Sequence, residues 1–118
     1  MLRGINVVSI PVPDLDAARL FYGETLGLGA PLYDLPEAGW VEFAAGAPGG
    51  NVSVTTEGWR GLGGGATIVF NVADCAAAVE WLRGRGVRCA DPQTFPGFVT
   101  FASFHDPFGN RLQICSPA

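Results

Sequence analysis

The sequence predicts an α+β fold built from two tandem βαβββ modules, and three observations support this prediction. The chain of 118 residues repeats itself once, at an offset of 60 positions. Each copy begins with a β-branched run that is followed by an amphipathic helix. Many of the 17 glycines fall where these elements end, at positions typical of turns and helix termini.

The repeat is visible in matched residues. The offset pairs Val12 with Val72, and it pairs the acidic residues Asp14 and Asp74 that we expect to cap the two helices. Because similarity at one fixed period indicates a duplicated unit, the two copies are interpreted as one module occurring twice. We therefore expect a single domain over residues 1–118, with module one at 1–57, a linker at 58–65 and module two at 66–118.

The elements follow in the same order in both modules. In module one the predicted strands are 4–12, 31–34, 40–45 and 51–56, with a helix from Asp14 to Gly27. In module two they are 66–72, 87–90, 98–104 and 111–116, with a helix from Asp74 to Gly86. Apolar residues recur at helical spacing on one side of each helix, which predicts the side that packs against a sheet.

Composition and charge exclude several classes of function. The seven basic residues are outnumbered by eleven acidic ones, so the net charge is −4 and no nucleic-acid partner is expected. No apolar run approaches the roughly 20 residues that span a bilayer, so no membrane partner is expected. Cys75, Cys89 and Cys115 lack paired spacing and indicate reduced thiols. Together with the absence of a signal-peptide pattern, they predict a cytoplasmic protein.

Two motifs resemble those of a known family. The first is Val8-Ser9-Ile10-Pro11-Val12-Pro13-Asp14-Leu15, followed by Phe21-Tyr22 and Leu26-Gly27-Leu28. The second is Asp106-Pro107-Phe108-Gly109-Asn110-Arg111-Leu112-Gln113-Ile114. In this order, on a repeat, they resemble the vicinal-oxygen-chelate family of glyoxalase I, the bleomycin- and fosfomycin-resistance proteins and the extradiol dioxygenases. The resemblance implies a cup-shaped mixed sheet with helices on the outside, a small-molecule ligand held by the two modules, and pairing of the chain as a homodimer.

The resemblance also implies where a divalent metal would be held. The ligand positions of the family fall on Val7, Ser53, Thr67 and Gln113. Catalytic metal sites need imidazole, carboxylate or thiolate ligands, and this set contains none of them. His105, the single histidine, lies outside these positions. We therefore expect no metal and no other cofactor.

Residues in phase with these four positions are expected to share their face, because successive residues of a strand point to opposite sides. The four ligand positions would be neutral, with hydrogen-bonding groups, and an aromatic ring on the same face would let a flat ligand stack. Arg111 or Gln113 would bind a ligand carbonyl or carboxylate. The pattern of the strand 98–104 leaves open which of its phenylalanines faces the ligand. The predicted ligand-binding residues are Val7, Ser9, Trp40, Ser53, Thr67, Asn71, Arg111 and Gln113.

Three hypotheses for function follow. The first is a metal-independent small-molecule-binding protein that sequesters an aromatic natural product or antibiotic. The second is a metal-free lyase or isomerase in which Glu42 is the catalytic acid or base, while Gln113 and Arg111 polarise a substrate oxygen. The third is a metal-dependent glyoxalase- or dioxygenase-type enzyme with a different set of ligands. The sequence does not decide whether a reaction is catalysed.

Overall fold

The computed structural model describes residues 1, 3, 5–46, 50–59, 61 and 65–118. Parts of the expected first strand, of the glycine-rich turn before residue 50 and of the expected linker 58–65 lie outside the described residues. The chain divides into two compact units, Met1–Gly63 (unit 1) and Gly64–Ala118 (unit 2). No helix among the described residues is both long enough and apolar enough to cross a membrane.

Unit 1 contains four strands and one main helix. The strands are β1 (Val7–Pro11), β2 (Tyr33–Leu35), β3 (Trp40–Phe43) and β4 (Asn51–Thr55). Helix α1 (Leu15–Ala18) continues as wider π-helical turns over Arg19–Thr25, and a short 3₁₀ turn (Pro36–Ala38) links β2 to β3. The sheet order is β1-β4-β3-β2, with β1 and β4 parallel and the other pairs antiparallel.

Unit 2 repeats this order. Its strands are β5 (Ile68–Asn71), β6 (Gln93–Phe95), β7 (Val99–His105) and β8 (Arg111–Pro117), and its helix is α2 (Cys75–Gly84). The sheet order is β5-β8-β7-β6, again with one parallel pair at the edge formed by the first and last strands. The predicted α+β class with two βαβββ modules is confirmed, and within the described residues the hydrogen bonding resolves it into two open four-stranded sheets.

The strand pairings preserve the 60-residue offset along one edge of each sheet. Val8 lies opposite Val52 in unit 1, and Ile68 lies opposite Leu112 in unit 2, each partner being 60 residues further along. The third strand departs from this offset. Ser53 lies opposite Glu42, whereas Gln113 lies opposite Ser103, so β7 is offset from β3 by 61 residues. Unit 2 therefore has one more residue between the start of its helix and its third strand than unit 1 has.

The two helices begin in the same way. Asp14 and Asp74 have extended backbones, and each carboxylate accepts a hydrogen bond from the amide three residues further on, at 3.1 Å from Ala17 and 3.2 Å from Ala77. The first helix differs from the prediction because it widens after Ala18. The Leu26 amide donates to the Phe21 carbonyl at 2.8 Å, five residues back. Wider turns rotate each residue through a smaller angle, so three consecutive residues, Phe21 to Gly23, are buried.

The predicted strand 87–90 is reduced to an isolated bridge, in which Cys89 lies opposite Phe104 of β7. Val87 is instead a buried residue that closes the end of α2, and its amide donates to the Leu82 carbonyl at 3.0 Å. Val87 is β-branched, which suggests a strand, but here its side chain is buried in the core. Strand β6 begins later, at Gln93, and pairs with β7 through a tight turn in which the Phe98 amide donates to the Phe95 carbonyl at 3.0 Å.

The core of each unit lies between its helix and one face of its sheet. In β8 every second residue is buried, which leaves the alternate residues on the opposite, helix-free face. The buried apolar residues of unit 1 are Ile10, Val12, Ala18, Phe21, Tyr22, Val41, Phe43, Val52 and Val54. Those of unit 2 are Cys75, Val79, Leu82, Val87, Ala102, Phe104, Leu112 and Ile114.

The turn between β7 and β8 is stabilised by a buried carboxylate. Asp106 accepts hydrogen bonds from the Phe108 amide at 2.9 Å, the Asn110 amide at 2.8 Å and the Asn110 side-chain amide at 2.7 Å. Gly109 follows with a φ of +90°, which glycine adopts without strain. This geometry explains why the turn requires both an acidic residue and a glycine.

We expect Asp106→Ala to lower the free energy of unfolding by about 3 kcal/mol, because it leaves buried donors without a partner. The matched control is Asp14→Ala, which removes an exposed cap and should cost about 1 kcal/mol. Urea denaturation of both variants measures the two values. Equal costs would show that the Asp106 carboxylate does not satisfy buried donors.

Candidate functional site

The predicted site residues lie on the helix-free face of each sheet. In unit 1 this face carries residues of β1, β3 and β4 that alternate with the buried apolar ones, and in unit 2 it carries those of β5, β7 and β8.

The unit 1 face is centred on a row of three polar residues. Ser9, Ser53 and Glu42 lie opposite one another on β1, β4 and β3. The Ser53 hydroxyl donates to the Ser9 hydroxyl at 2.9 Å, and Ser53 is fully buried while Ser9 is exposed. Val7 lies on the same face at the start of β1, opposite Asn51. The structure therefore brings Val7, Ser9 and Ser53 together as predicted from strand phase.

Glu42 is a buried carboxylate with donors on both oxygens. The Trp40 indole N–H donates to one oxygen at 3.1 Å, and the Asn51 side-chain amide donates to the other at 2.8 Å. Only 7% of Glu42 is exposed. A buried carboxyl group needs hydrogen bonds to offset its lost hydration, and these two donors supply them. The same contact fixes the orientation of the Trp40 ring.

The unit 2 face carries a cluster of hydrogen-bonding side chains around Ser103. The Gln113 amide donates to the Ser103 hydroxyl at 3.0 Å. The Arg111 guanidinium lies 3.4 Å from the Ser103 hydroxyl and 3.4 Å from the Thr67 hydroxyl. Thr67, Arg111 and Gln113 are thus brought together as predicted. Asn71, the remaining predicted residue, lies two strand positions away and accepts a weak hydrogen bond from the Cys115 thiol at 3.6 Å.

The aromatic residues on these faces can now be assigned. Phe101 is in phase with Ser103 and stacks on Phe95, with ring centroids 5.8 Å apart and planes 13° from parallel. Phe104 points the other way and is buried beneath α2, while Phe98 lies at the tip of the β6–β7 turn and is 83% exposed. Of the three phenylalanines left open by the sequence, Phe101 is the one on the helix-free face.

The residues at the four metal-ligand positions do not fit a metal. Val7 has no donor atom, Ser53 and Thr67 offer neutral hydroxyls, and Gln113 offers a neutral amide that is engaged with Ser103. A divalent catalytic ion needs imidazole, carboxylate or thiolate ligands. Within the described part of the chain, no group of three or more His, Cys, Asp or Glu residues is arranged to hold one.

The thiols of Cys75 and Cys89 are poorly suited to act as nucleophiles. All three are free thiols, and burial raises the pKa of Cys75 and of Cys89. Cys75 is also buried in the core, where its backbone amide donates a hydrogen bond to the Ser116 hydroxyl at 3.0 Å. A raised pKa leaves little thiolate at neutral pH, and the thiolate is the nucleophile.

A groove of about 530 Å³ lies elsewhere in unit 1, between the first helix and the segment 29–31. None of the predicted site residues line it. Its charged wall includes Arg19, which donates to both oxygens of Asp34 at 2.9 Å and also pairs with Asp16. The groove belongs to an ion-pair cluster on the helix side of the sheet and is separate from the helix-free face.

Ser103 is absent from the residues that the sequence predicts for the site, and Asn51 is predicted only to share the face of Ser53. Asn51 is in phase with Ser53, so the alternation of β4 carries the signal for it. Ser103 is hidden by the extra residue before β7, because the 60-residue offset aligns Glu42 with Ala102. Only the strand pairing shows that Ser103 is the counterpart of Glu42.

The sequence model of the Glyoxalase/Bleomycin resistance protein/Dioxygenase superfamily matches residues 4–114 of the chain. The chain belongs to this superfamily. The match covers both modules, including the opening strand and the Asp106 turn that carry the resemblance. No curated protein matches the chain.

Solved structures show the same superfamily fold along the whole chain. A superfamily member from Sphaerobacter thermophilus DSM 20745 superposes with a TM-score of 0.80 at 24% identity, covering 98% of each chain. TnmS3, an antibiotic binding protein from Streptomyces sp. CB03234, has a TM-score of 0.78 at 26% identity and covers 99% of this chain and 98% of its own. A glyoxalase/bleomycin resistance protein from the same organism has a TM-score of 0.72 at 26% identity, covering 96% and 100%.

We expect Glu42→Gln to lower the free energy of unfolding by about 2 kcal/mol, because the amide cannot accept hydrogen bonds on both sides as the carboxylate does. The matched control is Glu37→Gln in the exposed turn after β2, which should stay within about 0.5 kcal/mol of the original protein. Urea denaturation measures both. A Glu42 variant as stable as its control would contradict a buried, doubly hydrogen-bonded carboxylate.

Proposed function

We propose that this superfamily member is a metal-independent protein that binds and sequesters a small planar aromatic molecule, such as a natural product or antibiotic. The observation that carries the proposal is the chemistry of the helix-free faces. Where the family resemblance places metal ligands, the chain has the apolar Val7 and three neutral side chains with hydrogen-bonding groups, Ser53, Thr67 and Gln113. Aromatic rings lie on the same faces. Apolar walls with a few placed polar groups are typical of small-molecule sites.

The relatives support this proposal. TnmS3, at 26% identity and matched over nearly its full length, is described as an antibiotic binding protein. The second Streptomyces relative is described as a glyoxalase/bleomycin resistance protein. Binding without chemistry is therefore consistent with what similar chains are described as doing.

The contacts of Glu42 favour binding over acid/base catalysis. A general base must hold an oxygen within reach of the substrate proton. Both oxygens of Glu42 accept hydrogen bonds from protein donors, Trp40 on one side and Asn51 on the other. We therefore assign Glu42 a positioning role, in which it holds the Trp40 indole in one orientation. An aromatic wall held in one orientation loses little conformational entropy when a ligand stacks on it.

The proposal also includes a homodimer in the cytoplasm. The three free thiols are consistent with a reducing compartment. Exposed aromatic side chains near the β6–β7 turn, Phe95 at 61% and Phe98 at 83%, offer apolar surface for a second copy.

A screen of planar aromatic ligands tests the proposed function. We expect at least one polycyclic quinone or aromatic antibiotic to raise the melting temperature and to be recovered chemically unchanged. Trp40→Ala should then weaken its binding about tenfold, because the ligand loses its stacking surface. The matched control is Trp81→Ala on α2, where the ring lies under the Arg85 guanidinium and is 48% exposed. Fluorescence or calorimetric titration measures both affinities.

Two results would contradict the proposal. Conversion of a bound ligand into a product would assign an enzyme, and loss of that turnover in Glu42→Gln would restore the acid/base role. Equal effects of the Trp40 and Trp81 substitutions would show that the helix-free face of unit 1 does not contact the ligand.

A further inference from the structure

At two pairs of matched positions on the helix-free faces, the two modules differ in charge. In unit 1, Asn51 donates to the Glu42 carboxylate at 2.8 Å. The residue 60 positions after Asn51 is Arg111, and the counterpart of Glu42 in the pairing of the third strand is Ser103. Arg111 lies 3.4 Å from the Ser103 hydroxyl, so the same donor-to-acceptor contact recurs. Unit 2 thus has a cation where unit 1 has an amide, and a hydroxyl where unit 1 has the carboxylate.

Arg111 lacks a protein anion within the described residues. The other arginines that contact acidic groups do so closely: Arg19 donates to Asp34 at 2.9 Å, and Arg83 donates to Asp91 at 2.8 Å. The two contacts of Arg111 are both to hydroxyls and both long, at 3.4 Å. A guanidinium has five N–H donors, so most of its donor capacity remains open. Its side chain is exposed and accessible to a ligand.

Among the described residues, the side chains around Arg111 on this face include hydrogen-bond donors but no acidic group. His105 lies directly opposite Arg111 in the β7–β8 pairing and is exposed. The other residues of this face in β5, β7 and β8 are neutral: Val69, Asn71, Val99, Phe101, Ser103, Gln113 and Cys115. The face is therefore cationic although the chain as a whole has a net charge of −4. The carboxylate that Glu42 supplies in unit 1 has no equivalent among the described residues of this face.

We infer that the helix-free face of unit 2 binds the carboxylate of an aromatic acid, which takes the place that a glutamate occupies in unit 1. Arg111 donates to the carboxylate, and Ser103 and Thr67 hold the guanidinium in position. This inference rests on the proposed function and names the class of its ligand. Guanidinium and carboxylate form paired, charge-assisted hydrogen bonds, which are about twice as strong as neutral ones.

The ring of the ligand has a place on the same face. Phe101 stacks with Phe95 and lies two residues before Ser103 on β7. Two residues of a strand span about 7 Å, so the aromatic pair and the cation are separated by the width of a polycyclic aromatic acid. A ligand whose ring contacts Phe101 would place a carboxylate on its far end within reach of Arg111.

A matched pair of probes tests this inference: anthraquinone-2-carboxylate and the neutral anthraquinone-2-carboxamide. They share a ring system and differ in charge. We expect the protein to bind the carboxylate at least about tenfold more tightly, measured by isothermal titration at neutral pH. Arg111→Gln should bring the ratio of the two affinities close to one. The matched control is Arg88→Gln, which removes the same charge from an exposed residue outside β5, β7 and β8 and should preserve the ratio.

A second variant tests the comparison between the modules directly. Ser103→Glu places in unit 2 the carboxylate that unit 1 has, so it should occupy Arg111 and abolish the preference for the acid. Ser103→Gln adds similar bulk without charge and should keep the preference, whatever its effect on the two affinities. Melting temperatures and circular dichroism of all four variants show that each is folded.

The outcomes separate this inference from the proposed function. Equal binding of acid and amide, or an unchanged ratio in both Arg111→Gln and Ser103→Glu, would overturn the inference and leave sequestration of aromatic molecules intact. Failure of both anthraquinones while neutral planar ligands bind would also overturn it. Failure of every planar ligand would overturn the proposed function, and the inference with it.

Discussion

The parallel pairing between the first and last strands of each module determines which side chains are available for binding. Val8 opposite Val52 and Ile68 opposite Leu112 fix one register in both units. A slip of one residue would turn every side chain of a strand to the other face, so the buried valines and isoleucines beneath the helices hold the polar row in place. The helix-capping aspartates and the Asp106 turn support this arrangement at its ends.

On this common framework the two faces have acquired different chemistry. Unit 1 places a buried acid between Trp40 and Asn51, where it orients an aromatic ring. Unit 2 has a serine at the equivalent position beside an exposed arginine. The repeat gives the two units equivalent positions. At two of them unit 1 has the hydrogen-bonded pair Asn51 and Glu42, whereas unit 2 has Arg111 and Ser103, and the Arg111 guanidinium remains accessible to a ligand.

The sequence was informative where local chemistry dictates structure. The helix starts follow from Asp14 and Asp74, since a carboxylate at this position satisfies exposed amides. The shared face of Ser53 and Gln113 was predicted from the ligand positions that the family resemblance implies, and the two-residue alternation of a strand extended that face to their neighbours. The position of β6 was missed because Val87 is buried against the end of α2. Ser103 was missed because one extra residue breaks the repeat. Glu42 was predicted as a catalytic acid or base, because its hydrogen bonds to Trp40 and Asn51 are visible only in the folded chain.

The central claim is that this chain carries out its function without a metal. Its most direct test is elemental analysis of the purified protein after incubation with zinc, iron, manganese and nickel in turn, followed by dialysis. The account predicts metal contents well below one ion per chain, since Val7, Ser53, Thr67 and Gln113 offer no charged or imidazole ligand. One ion per chain that survives dialysis, and that is lost when Gln113 is replaced by leucine, would contradict it.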